Sequence, residues 1–199
     1  MLAEVVSSVA ACEALVIGAS AGAVDALNLL LPVVPKDARV PVVIVVHLPP
    51  NRPSLLAELF APRCQARVRE PEDKEPVAAG TVWFAPSNYH LLIEKDRTFS
   101  MSVDEPIRFS RPSIDVLFES AAEAFGSSLC GFVLTGANDD GSRGARAIRE
   151  AGGIVVVQDP RTAEAKQMPS AAIALAKPQL VASLPELAQL LRQATEIFS

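Results

Sequence analysis

Along this chain, short apolar runs alternate with stretches whose apolar positions recur at helical spacing. Residues 14–17 and 40–46 are such runs, the second rich in β-branched side chains, and they suit strands buried on both faces. The helical pattern of 22–31 lies between them, so the chain opens with a βαβ unit. Residues 53–60 predict a helix with Pro53 near its start. Residues 82–84, 91–93 and 98–102 read as short strands broken by Pro, Gly and charged turns, which predicts a hairpin in the middle of the chain. From Ser113 the alternation resumes, with helix 113–125, strand 131–134, helix 142–151, strand 154–157, a helix from Pro169, strand 180–182 and helix 184–197. The Pro- and Glu-rich segment 70–76 reads as a surface loop. No repeat, low-complexity tract or linker interrupts this order, so a single domain over 1–199 is expected, with its core about 14–198.

Strands alternating with helices in this way predict an α/β fold. The expected form is a doubly wound, mostly parallel sheet, Rossmann-like in outline, with helices on both faces and a small β-hairpin insertion. Half of the residues are apolar, enough to bury one good core. A net charge of −5 without a basic block excludes the electrostatic footprint of a nucleic-acid binder. Cys12, Cys64 and Cys130 are odd in number and set in apolar surroundings, which points to buried thiols in a reducing compartment, the cytoplasm. Residues 1–11 contain no Lys or Arg, and no apolar run approaches the roughly 20 residues that span a bilayer. Neither a signal peptide nor membrane insertion is expected.

In open parallel sheets ligands sit beyond the carboxyl ends of the strands, near the switch in strand order. Here the first strand ends in Gly18-Ala19-Ser20-Ala21-Gly22 and the second in His47-Leu48-Pro49-Pro50. The later ones end in Thr135-Gly136-Ala137-Asn138-Asp139-Asp140-Gly141 and Gln158-Asp159-Pro160. Serine, histidine and aspartate therefore converge on one edge. That set suits nucleophilic catalysis: a serine hydroxyl attacks an ester only if an imidazole takes its proton, and a carboxylate fixes the imidazole tautomer. Ser20, His47 and Asp140 are the candidates. Gly18 and Gly22 allow the sharp turn of a nucleophile elbow, the Ala21 amide would face a developing oxyanion, and a second donor could come from 136–138.

Plainer readings of the same residues stay open. Ser20 could simply cap the first helix, and Asp140 the helix that follows it, with Asn138 and Asp139 in an Asx turn. A dinucleotide-binding turn is disfavoured, because Ser20 and Ala23 replace two glycines of the fingerprint and His47 stands where a ribose-binding acid belongs. A standard α/β-hydrolase is also disfavoured, since both histidines precede Asp140. His90, at the head of a hairpin strand, reads as a surface or supporting group.

Six stretches of this sequence carry a family resemblance: "VIGASAG", "VVIVVHLPP", "VWFAPSNYHLLIE", "RPSIDVLFESAA", "LTGANDDGSRGARAIREAGG" and "QDPRTAEAKQMPSAAI". Together they resemble the catalytic domain of the chemotaxis protein-glutamate methylesterases over almost the whole chain. The resemblance implies Ser20 as nucleophile, His47 as general base, Asp140 as third member of the triad, and backbone amides of Ala21 and Ala137 as the oxyanion hole. It also implies a doubly wound fold, no metal or organic cofactor, and substrates on chemoreceptor helices, with deamidation of receptor glutamine as a side activity. Where family members often carry Ser-Thr-Gly and Met, this chain has Ser20-Ala21-Gly22 and Ala137. Family enzymes commonly carry an N-terminal receiver domain. Only about a dozen residues precede the first strand here, so activity is expected to be constitutive or controlled by a separate response-regulator receiver protein. Two other classes remain: an esterase or amidase with another substrate, and a non-catalytic regulatory module on the same scaffold.

Overall fold

Continuous apolar runs can be strands only if both faces of the sheet are covered, and the computed structural model, which describes residues 2–48 and 52–196, has that arrangement. Helix α1 (Leu2–Ala10) leads into β1 (Ala14–Ala19), α2 (Ala23–Leu30), β2 (Val42–Val46), α3 (Leu56–Phe60), β3 (Arg67–Arg69) and β4 (Thr81–Phe84). Strands β5 (His90–Ile93) and β6 (Phe99–Ser102) form the antiparallel hairpin. Then follow α4 (Ile114–Phe125), β7 (Leu129–Val133), α5 (Ser142–Glu150), β8 (Ile154–Gln158), α6 (Gln167–Ala176), β9 (Leu180–Ala182) and α7 (Leu184–Thr195). Pro49 and Pro50 after His47, and the expected ends of the last helix and of the core at 197 and 198, lie outside the described residues.

The main sheet has seven strands in the order β3-β4-β2-β1-β7-β8-β9, and every pair in it is parallel. The chain winds outward from β1 through β2 on one side, then returns to β7 on the other, so the strand order switches at β1. Alternate residues of β1 feed two cores. Leu15, Ile17 and Ala19 pack with residues of α1, α2, α3 and α7, whereas Ala14 and Val16 pack with α4, α5, α6 and the hairpin.

Two elements escape the periodicity. In α1 serines and valines give weak helix propensity, and the helix holds by seating Val5 and Val9 in the core. Strand β3 is only Arg-Val-Arg; it pairs at the sheet edge with β4, and the Arg69 guanidinium lies 5.0 Å from the Trp83 ring centroid. Helix α6 begins at Gln167, two residues before Pro169, because a proline fits the first helical turn. Cys12 and Cys130 are buried as expected, but Cys64, in the segment between α3 and β3, is only half-buried.

Candidate active site

The switch point brings three strand ends together. Strands β1 and β2 stay in register to Ala19 and Val46, and the His47 amide extends the ladder to the Ala19 carbonyl at 3.2 Å. Ser20 and His47 are therefore the next residues on neighbouring strands, whose backbones lie about 4.8 Å apart. On the other side of β1, the Ser20 amide donates to the Thr135 carbonyl at 2.9 Å. Ser20 thus stands between the ends of β2 and β7.

Beyond Ser20 the chain turns: the Ala23 amide donates to the Ser20 carbonyl at 2.9 Å, and Gly22 adopts φ 80° as the N-cap of α2 without a side-chain cap. Ser20 is not the cap of α2. Its hydroxyl makes no hydrogen bond among the described residues. The Thr135 hydroxyl braces the turn, donating to the Ala21 carbonyl at 2.8 Å and accepting from the Ala165 amide at 2.9 Å. Buried Gln158 accepts from the Thr135 amide at 2.9 Å. Among the described residues, no protein acceptor takes the Ala21 or Ala137 amide, so both are available to a bound oxygen.

His47 and Asp140 meet directly, His47 Nε2 lying 2.7 Å from Asp140 Oδ2. The carboxylate is fully buried and accepts four further hydrogen bonds. Ser113 Oγ, the Asp115 amide and the Gly141 amide donate to Oδ1, each at 3.0 Å, and the Ile114 amide donates to Oδ2 at 2.8 Å. Three of these donors belong to the N-terminus of α4, where the backbone amides lack helical partners and the helix dipole favours negative charge. Asp140 is in effect an external cap for α4. It is not the N-cap of its own helix: that residue is Gly141, at φ 89°. The expected Asx turn is present, with the Asp140 amide donating to Asn138 Oδ1 at 3.1 Å.

Burial pushes the Asp140 carboxyl upward, but the bond from His47 and the amides of Ile114 and Asp115 outweigh it and hold the group below the usual aspartate value. The carboxylate is therefore ionised at neutral pH and can only accept. His47 Nε2 must carry the proton, which makes Nδ1 the lone-pair nitrogen of the neutral ring. Asn138 Nδ2 lies 3.5 Å from that nitrogen, its amide oriented by the bond from Asp140 to Oδ1.

The close approach of α4 depends on glycines. A Cβ on Gly18 would overlap Ile114 Cγ2, and one on Gly141 would come within 2.7 Å of the same atom. These two positions let Ile114 drop onto the end of β1, and its amide reaches Asp140 as a result. Asp115, also fully buried, secures α4 to α5 by accepting from the Gly144 amide at 2.8 Å and from Arg143 Nε at 3.1 Å. His90 is buried rather than superficial, and its Nδ1 accepts from the Ser113 amide at 3.1 Å. His90 is thus a supporting group, one of the two roles expected of it, whereas Ser113, Ile114 and Asp115 are contributors that motif reading left without a role. The only local signal was a serine at a helix start; its acceptor, Asp140, comes 27 residues later. Among the described residues, no cluster of three or more His, Cys, Asp or Glu could hold a metal, and no helix is long and apolar enough to cross a membrane.

Comparison with known proteins places the fold in a family. Residues 15–191 match the family described as CheB methylesterase. A Leptospira interrogans protein assigned to the protein-glutamate methylesterase/protein-glutamine glutaminases is 47% identical over 178 residues, covering 89% of this chain and 92% of that one. The protein-glutamate methylesterase/protein-glutamine glutaminase of Trichodesmium erythraeum is 39% identical over 160 residues, covering 79% of this chain but only 46% of that longer protein. The crystal structure of the Thermotoga maritima CheB methylesterase catalytic domain superposes with a TM-score of 0.87 at 30% identity, covering 92% of this chain and 98% of that one.

Proposed function

Because the chain belongs to the CheB methylesterase family, we propose that it hydrolyses glutamyl γ-methyl esters on chemoreceptor helices by a Ser20-His47-Asp140 triad, releasing methanol. The observation that carries this reading is the His47–Asp140 pair at 2.7 Å, beside a serine at the switch point of the sheet whose hydroxyl makes no hydrogen bond among the described residues.

His47 Nδ1 takes the Ser20 proton as Oγ attacks the ester carbonyl carbon, and Asp140 stays ionised to stabilise the imidazolium. For that transfer the Ser20 hydroxyl replaces the long Asn138 contact at Nδ1. The oxyanion is received by the amides of Ala21 and Ala137, each such donor lowering the barrier by about 3 kcal/mol. Collapse of the tetrahedral intermediate breaks the bond to the methoxy oxygen, which leaves as methanol with the proton held by His47. Water then attacks the acyl-enzyme by the same route in reverse, giving glutamate and free Ser20. A carboxamide at the same place would release ammonia, the glutaminase reaction for which the relatives are also named.

A recess of about 300 Å³ lined by Gly22, Thr135, Gln158 and Glu164 opens beside the Ser20 turn. The test is methanol release from methylated chemoreceptor membranes by wild type and Ser20→Ala. Release by wild type alone is expected. Equal release by the two proteins would refute the nucleophile.

A further inference from the structure

The loop 103–112, between the hairpin and α4, carries the two most exposed large apolar side chains among the described residues, Val103 at 69% and Phe109 at 99%. Isolated surface apolar residues are ordinary, but the support beneath Phe109 is not. Ile107 and Ser110 exchange backbone hydrogen bonds at 3.1 and 2.8 Å, which makes Arg108 and Phe109 the central pair of a tight turn. Both have positive φ, 49° and 65°, a conformation that side chains other than Gly, Asn and Asp adopt at a cost.

Ion pairs and hydrogen bonds hold the turn in place. Arg108 Nε contacts Asp139 Oδ1 at 2.6 Å, and its Nη1 donates to Asp115 Oδ2 at 3.0 Å. Arg111 Nη1 donates to the carbonyls of Val103 and Asp104 at 2.6 and 2.9 Å. His90 accepts from Ser113 through Nδ1, and its Nε2 therefore donates to the Glu105 carbonyl, at 3.2 Å. The turn is thus tied to the same residues that hold Asp140. Phe109 itself buries nothing in the fold.

We propose that Phe109 is the anchor on which the ester-bearing substrate helix docks, an inference that rests on the esterase reading above. The carbonyl of a glutamyl methyl ester is only three bonds from the Cα of its residue, while a helix with its side chains is about 10–12 Å across. A helix that presents such an ester to Ser20 must therefore lie on the rim of the cleft. Arg108 fixes the turn to Asp139, the neighbour of Asp140, so exposed Phe109 is carried on a turn fastened beside the acid of the proposed triad. The occupant is an amphipathic helix whose apolar positions, one turn from the esterified residue, meet the phenyl ring. Aromatic anchors dominate such contacts, and a braced turn loses little freedom on binding.

The experiment uses the full chain and a methyl-esterified chemoreceptor cytoplasmic fragment, with initial rates of methanol release giving KM and kcat. Phe109→Ser raises KM about tenfold or more while kcat stays within about twofold. Val181→Ser, which removes another exposed apolar side chain on β9 at the far edge of the sheet, leaves both unchanged. A Phe109→Ser enzyme with the wild-type KM overturns the proposal. If wild type releases no methanol, the esterase reading fails on its own, and direct binding of the same fragment decides docking. Weaker binding by Phe109→Ser supports it; equal binding, or none by wild type, overturns it.

Discussion

The substitution Asp140→Asn keeps the shape of the aspartate and removes its charge and one of its two acceptor oxygens. Five donors converge on that carboxylate: Ser113 Oγ and the amides of Asp115 and Gly141 on Oδ1, His47 Nε2 and the Ile114 amide on Oδ2. If the oxygen of the new carboxamide takes the Oδ1 position, its NH₂ faces the Ile114 amide and His47. One buried backbone N–H is then orphaned, costing about 1–3 kcal/mol, and the remaining bonds lose their charge-assisted strength. The opposite orientation orphans two amides, those of Asp115 and Gly141, and is worse. The net loss is about 3 kcal/mol, roughly 6–12 °C in melting temperature for a chain of this size. In the better orientation His47 must also accept at Nε2 and carry its proton on Nδ1, so the base has no lone pair for Ser20, and kcat falls about 10⁴-fold. Thermal unfolding and methanol release measure the two effects separately. A variant that melts with wild type, or that keeps activity within about tenfold, would refute this role for the Asp140 carboxylate.

Gly18→Ala should force Ile114 off the end of β1, costing about 1–3 kcal/mol by overpacking. It should also lower kcat, because the Ile114 amide holds Asp140; an unchanged melting curve would count against that packing. The native pKa of Asp140 lies below its unfolded value, so its contribution to stability is complete above the ordinary aspartate value of 3.8 and is lost as pH falls through the native one. Denaturant titrations below pH 3.8 should therefore show wild type losing stability faster than Asp140→Asn, and parallel curves would contradict the assignment.

The proposed triad was more legible than its support. Ser20 and His47 each follow a continuous apolar strand, and parallel strands end at a common edge, so their convergence on that edge followed from pattern alone. Asp140 was legible for the same reason, seven residues past the end of β7. The donors that charge and orient it were not, because a helix N-terminus does not reveal in sequence which distant acceptor it will meet. The Arg108–Phe109 turn was equally hidden: it contains no glycine, and it is held by ties to residues in other segments, such as Asp139 and Asp115. Helix α1 and strand β3 lack a sufficient period, and each forms because a neighbour offers a surface to complete.

Local physics, written in the order of residues, thus determined the parallel α/β class, the hairpin insertion and the sheet edge where polar residues gather. Burial of β-branched runs and the turn chemistry after each strand act over a few residues, and a sequence displays them. The tertiary structure alone decided which strands are neighbours, which nitrogen of His47 faces the acid, and that α4 caps a carboxylate from another element. Those outcomes depend on close packing between segments far apart in the chain, such as Ile114 against Gly18, and no local pattern encodes them.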